Sequence, residues 1–222
     1  VAASLALMGH TVLCIDMDIG LRNLDITLGL SDRALMDFSD VALGRCPLAR
    51  GAVDHPDVKG LSLLTAPMSL SPSLTIDKVR AMLDTARGQY DYILIDSPAG
   101  LGAGFRLAIC GADRALVIAT NDASSLRDAQ RTVCELESIR QVHLIMNRIQ
   151  PKLLRKLRAT IDDAMNTAGL PLIGVVPEDD QVMLAANLGQ PLTAQGRRGA
   201  ALACWNIALR LDGNQVPIMR IR

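Results

Sequence analysis

Thr11-Val12-Leu13-Cys14-Ile15-Asp16-Met17-Asp18-Ile19-Gly20 is a short apolar run that stops on two aspartates and a glycine. A run of this length, closed by turn residues, reads as a buried strand. It puts two carboxylates at the strand's carboxyl end, the edge at which open α/β sheets bind ligands. The plain alternative is a pair of turn residues ending a strand. An apolar core has no use for two charges one residue apart. A hydrated Mg²⁺ beside a phosphate chain does, because Mg²⁺ prefers carboxylate oxygens and keeps several waters.

The rest of the chain repeats this grammar. Near-continuous apolar runs at Thr11–Ile15, Leu61–Thr65, Tyr92–Ile95, Ala115–Thr120, Val142–Met146 and Leu172–Val176 suit parallel strands covered on both faces. Helical spacing fills 76–87, 124–140 and 153–168, with Gly88 and Gly169 at helix ends, and Ala2 to Met8 reads as a helix tail closed by Gly9-His10. Alternation of this kind predicts a doubly wound, mostly parallel α/β sheet with helices on both faces, in a single domain. Five strands exit on polar residues: Asp16, Asp96, Thr120-Asn121, Asn147 and Pro177-Glu178. On one sheet they would share a crevice.

Composition removes other classes. A net charge of +0 over 222 residues gives no general attraction to nucleic acid, and 2% aromatics give no stacking platform. The cysteines, at 14, 46, 110, 134 and 204, lack C-x-x-C spacing, and His10, His55 and His143 stand apart. No apolar run reaches the ~18 residues of a membrane span. Gly100-Leu101-Gly102-Ala103-Gly104-Phe105 imitates a dinucleotide loop but has Phe105 where the third glycine belongs. Ser124 or Ser125 is an N-cap candidate. Lys152, Arg155, Lys156 and Arg158, interleaved with Leu153, Leu154, Leu157 and Ile161, read most simply as a core-facing helix with a solvated cationic face; contact with DNA or anionic lipid is the sharper alternative.

Asp16-Met17-Asp18-Ile19-Gly20-Leu21-Arg22-Asn23-Leu24-Asp25, Asp96-Ser97-Pro98-Ala99-Gly100, Ser124-Ser125-Leu126-Arg127-Asp128, Asn147-Arg148 and Pro177-Glu178-Asp179 occur in that order. Together they resemble the ParA/MinD family of deviant P-loop ATPases. The first motif resembles the septum-site-determining branch; chromosome-partition relatives usually carry Asp-Pro-Gln after the aspartate pair. The resemblance implies ATP and Mg²⁺ as cofactors. Asp16 and Asp96 would lie near Mg²⁺ through water, with Asp16 and Asp18 catalytic and Asp18 positioning the attacking water. Asn147, Arg148, Pro177, Glu178 and Asp179 would receive the base. Arg22, Asn23, Arg127 and Asp128 would face the partner subunit or other partners of an ATP-dependent homodimer.

It also implies a division inhibitor (MinC) and a topological factor such as MinE as partners. The expected place is the cytoplasmic face of a bacterial membrane, reached through a C-terminal amphipathic helix, with no sequence-specific nucleic acid. No G-x-x-x-x-G-K-[ST] loop occurs in the chain, which begins with Val1. The reading is a fragment cut after that loop and inactive as an ATP hydrolase without it. Pro217 opposes a helix through Val216–Arg222, a stretch that looks like the linker before the membrane helix. The alternatives are another positioning ATPase of the family, for flagellar number or chromosome partition, and a non-hydrolysing binding module without the loop.

Overall fold

The computed structural model describes residues 1–219, so residues 220–222 of the tail lie outside the described residues. In chain order the elements are α1 (Ala2–Leu7), β1 (Val12–Asp16), α2 (Leu24–Thr27), α3 (Phe38–Ala42), α4 (Leu48–Gly51), β2 (Val53–Asp54), β3 (Leu61–Leu64), α5 (Ile76–Arg87), β4 (Tyr92–Asp96) and α6 (Ala103–Ile109). Then come β5 (Arg114–Ala119), α7 (Ala123–Glu135), β6 (Gln141–Ile149), α8 (Pro151–Leu157), α9 (Ile161–Ala168), β7 (Leu172–Pro177), α10 (Asp180–Asn187) and α11 (Gly199–Leu211). The architecture is α/β, with helices on both sides of parallel or mixed sheets. Two compact units make up the chain: Val1–Gly111 with Leu184–Ala194, and Ala112–Met183 with the segment from Gln195 onward.

The first unit carries strands in the order β2-β3-β1-β4. β3 and β4 flank β1 in parallel, and the two-residue β2, which no sequence pattern announces, pairs antiparallel with β3. Every residue of β1 is buried. Leu13, Ile15, Phe38, Leu64, Val79 and Leu83 belong to one core cluster. Burying each such side chain contributes about 1.5–3 kcal/mol. α5 covers this core with Val79, Met82, Leu83 and Ala86, one helical stripe, and Thr75 caps its start by accepting the Lys78 N–H at 3.4 Å. Gly29, at φ +66°, lies against Gly189; a Cβ there would stand 2.4 Å from the Gly189 carbonyl oxygen.

In the second unit β5, β6 and β7 are parallel and adjacent in that order. Gly174 on β7 lets α11 come close, since a Cβ at Gly174 would meet Ile207 Cγ1 at 2.3 Å. The buried part of Arg210 donates to the carbonyls of Ile173 (2.8 Å), Val216 (3.1 Å) and Pro217 (2.6 Å), fastening the chain after α11 to the sheet.

Three expectations need correction. The helix expected over 153–168 is two helices. Arg158 closes α8 in the left-handed region at φ 51°, and a Thr160–Asp163 capping box starts α9. The helix expected over 124–140 spans Ala123–Glu135, and its N-cap is Asp122, whose carboxylate accepts the Ser125 N–H at 2.9 Å; Ser125 Oγ instead accepts the Thr120 N–H. The basic residues of α8 are exposed, as expected, but the helix is not core-facing: none of its residues is fully buried, and only Pro151 and Leu154 are half-buried.

Candidate functional site

β1 and β4 end side by side, with Asp16 and Asp96 opposite each other in the parallel register. The Met17 N–H donates to the Asp96 carbonyl at 2.9 Å and extends the pairing one residue past the strands. Asp16 is fully buried. Its Oδ1 accepts the Asp18 N–H at 2.8 Å and its Oδ2 the Leu24 N–H at 3.2 Å. Loss of hydration raises the Asp16 carboxyl above the usual range; the two amides oppose this, and Asp18 and Asp25 add to it. Asp96 keeps exposed surface, yet lost hydration, then Asp16 and Asp18, raises its carboxyl too. Half-buried Asp18 completes the group.

Among the described residues no three His, Cys, Asp or Glu side chains are arranged to grip a metal directly. Two adjacent carboxylates whose negative charge is disfavoured suit a cation that keeps its own water shell, so the donor set fits hydrated Mg²⁺. The loops leaving the two strands turn on left-handed glycines, Gly20 at φ +90° and Gly100 at φ +83°. Gly104 brings α6 in tightly: a Cβ there would lie 2.8 Å from Pro98 Cγ and 3.5 Å from the Met17 carbonyl oxygen. Of the glycine-rich stretch, Gly104 therefore serves close packing beside the acidic loop, while Gly100 and Gly102 face open space.

Arg22 does not extend outward in this structure. It holds φ 48°, donates to Asp25 Oδ2 at 3.1 Å and also reaches the Ala34 carbonyl. Asp25 is 4% exposed. The pair braces the loop that delivers the Leu24 N–H to Asp16, a role the sequence signalled only by the three-residue spacing of an arginine and an aspartate. Asn23 is exposed beside it. Leu21, Ile26, Leu35 and Met68 are 67%, 58%, 87% and 69% exposed. Of these, Met68 follows Pro67, whose carbonyl takes the Gly20 N–H at 3.1 Å.

The second unit gathers the other expected residues. A register shift between Met146 and Ile149 places Asn147 and Arg148 on an irregularity at the end of β6, which re-aims their side chains. Arg148, at φ 54°, takes Glu178 with Nε at 2.9 Å and Nη2 at 3.3 Å, while Asn147 Oδ1 accepts the Arg148 N–H. The Glu178 N–H donates to the Ile149 carbonyl at 3.1 Å, following Pro177 at the end of β7. Asp179 is a double cap: Oδ1 accepts the Gln181 N–H at 3.0 Å and Oδ2 the Ala200 N–H at 2.9 Å. Arg127 and Asp128 are exposed on the first turns of α7.

Residues 1–192 match the model of the CobQ/CobB/MinD/ParA nucleotide binding domain. The chain belongs to this MinD/ParA family. The septum site-determining protein MinD of Helicobacter pylori is 38% identical over 232 residues, spanning 100% of this chain and 86% of that protein. A MinC:MinD cell division protein complex of Aquifex aeolicus contains a chain 35% identical with a TM-score of 0.90, covering 99% of this chain and 90% of that one. MinD of Pyrococcus horikoshii, solved with Mg-ADP, is 24% identical with a TM-score of 0.82 over 95% and 87% and shares the fold. The similarity to MinD thus runs through both units of a MinD/ParA nucleotide-binding domain.

Proposed function

We propose that the chain is the body of a MinD-type septum-site ATPase, a switch that binds ATP with Mg²⁺, dimerises, and resets on hydrolysis. The observation that carries this reading is the in-register pair Asp16 and Asp96 on parallel strands of a nucleotide-binding family member, with Asp18 two residues beyond the strand. Asp16 and Asp96 would hold Mg²⁺ through its water shell. When bound, the ion would neutralise phosphate charge as the bond to the leaving oxygen breaks. Asp18 would orient the water that attacks the γ-phosphorus. Asn147 and the Arg148–Glu178 pair would frame the base, since an Asn amide presents both a donor and an acceptor.

A homodimer, a MinC-like inhibitor and a MinE-like factor are the partners this reading brings. The exposed Leu21, Ile26, Leu35 and Met68 supply apolar area for such contacts, with Asn23, Arg127 and Asp128 as polar ones. Arg22 would have to leave Asp25 to reach across an interface. Attachment to the inner face of the cell membrane through a C-terminal helix belongs to the same proposal. In a chain joined at Val1 to the family's phosphate loop, Asp18→Ala should abolish Mg²⁺-dependent ATP turnover and leave ATP binding intact. Normal turnover by that variant would remove Asp18 from its role, and loss of binding would move it into the ion site.

A further inference from the structure

α8 is a surface helix that rests on the fold only through the half-buried Pro151 and Leu154. A helix on a globular protein normally buries one apolar stripe, but none of the side chains of α8 is buried. Leu153 and Leu157 are 39% and 55% exposed. They stand one turn apart, so they share a face; Lys152 and Lys156 form the neighbouring row. Arg155 and Arg158 are exposed as well, and no acid occurs between Gln150 and Ile161. Neither lysine has an ion-pair partner among the described residues. Of the acids that follow, Asp163 is engaged with Thr160 at the start of α9, and Asp162 is exposed.

We propose that α8 is a membrane-contact surface for anionic phospholipid, separate from the C-terminal tail. Leu153 and Leu157 would enter the boundary between headgroups and acyl chains. Lys152, Lys156 and the two arginines would lie among the anionic headgroups, with their methylene stems along the apolar face. Charge complementarity selects the occupant. Contact with a duplex backbone needs cations alone and leaves two leucines in water, whereas an anionic bilayer uses both rows. The surface is short, so binding should be weak and salt-dependent, with each cation contributing roughly fivefold to partition. It requires no nucleotide, and its failure would leave the ATPase reading untouched.

The test is cosedimentation of the 222-residue chain with phosphatidylserine-containing vesicles, without nucleotide. Binding is expected at low salt, absent with pure phosphatidylcholine, and lost at about 1 M salt, where screening reaches only ~3 Å. Lys152→Gln/Lys156→Gln should lower partition about twenty-five-fold, and Lys152→Glu/Lys156→Glu by more than that. Leu153→Ser/Leu157→Ser should weaken it at least fivefold at unchanged charge. All these side chains are exposed, so unaltered circular-dichroism melts are expected. No binding to phosphatidylserine vesicles, or equal binding by the glutamate variant, overturns the proposal. So does full binding by the serine variant; if the wild-type chain then binds random duplex DNA, the surface is one for nucleic acid.

Discussion

Gly199→Ala tests whether Asp179 works as a clamp in the second unit. Gly199 opens α11 at φ +50°, and an added Cβ would stand 2.1 Å from Asp179 Oδ2. That oxygen accepts the Ala200 N–H at 2.9 Å, so the methyl group displaces the side-chain cap that Asp179 supplies to this helix. The left-handed backbone costs a non-glycine residue about 1–2 kcal/mol. Loss of a hydrogen bond to a charged group adds about 1.5–3 kcal/mol. A total near 3 kcal/mol should lower Tm by roughly 6–12 °C for a chain of this size. Asp179→Ala removes the caps on α10 and α11 together and should cost about 2 kcal/mol. In that background the methyl group has no carboxylate to hit, so Gly199→Ala should cost only about 1 kcal/mol. The double-mutant cycle, read by thermal or urea unfolding, should therefore show a coupling near 2 kcal/mol. Equal costs for Gly199→Ala in both backgrounds would refute the clamp.

Gly174→Ala should cost about 1–3 kcal/mol by overpacking against Ile207, and Ile207→Val in the same chain should recover part of it in a urea titration. Asp96→Asn should stabilise the fold slightly in the absence of Mg²⁺, by less than ~1 kcal/mol because water screens its exposed side, and should abolish stabilisation by added Mg²⁺. His55 Nδ1 accepts the Asp57 and Val58 N–H groups, both at 3.1 Å, and burial lowers its pKa below the ordinary 6.5, against Asp57 and the Leu28 carbonyl, which raise it, while Arg33 lowers it further. The unfolded chain therefore takes up this proton first, so stability should be full above pH 6.5 and fall below it. His55→Gln should flatten that limb of a pH–Tm series.

The strands were legible because a parallel strand covered on both faces must be apolar along its length, and all six such runs form strands. The acidic pair was legible because charge at the end of such a run has no packing reason. α11 was not. Its sequence is apolar on nearly every side, it opens on glycine, and its cap arrives from Asp179, twenty-one residues upstream by the pairing of Ala200 with that carboxylate. The break between α8 and α9 was written in Thr160 and Asp163, but the leucine spacing running through it suggested one helix. Neither the inward fold of Arg22 nor the two amides capped by Asp179 can be read from residue type. Both depend on where another segment's carbonyl or amide lies.

The grip of Arg210 on Val216 and Pro217 matters to any spectroscopic ruler placed near the end of this chain. Counted from the end of α11 at Leu211, a label on Met219 could wander across about 28 Å of extended backbone. Counted from Pro217, where the guanidinium holds the chain at 2.6 Å, it has about 7 Å. Distances measured to Met219 would then report the position of the β7 sheet edge, and Arg210→Ala would convert the same label into a reporter of a free tether.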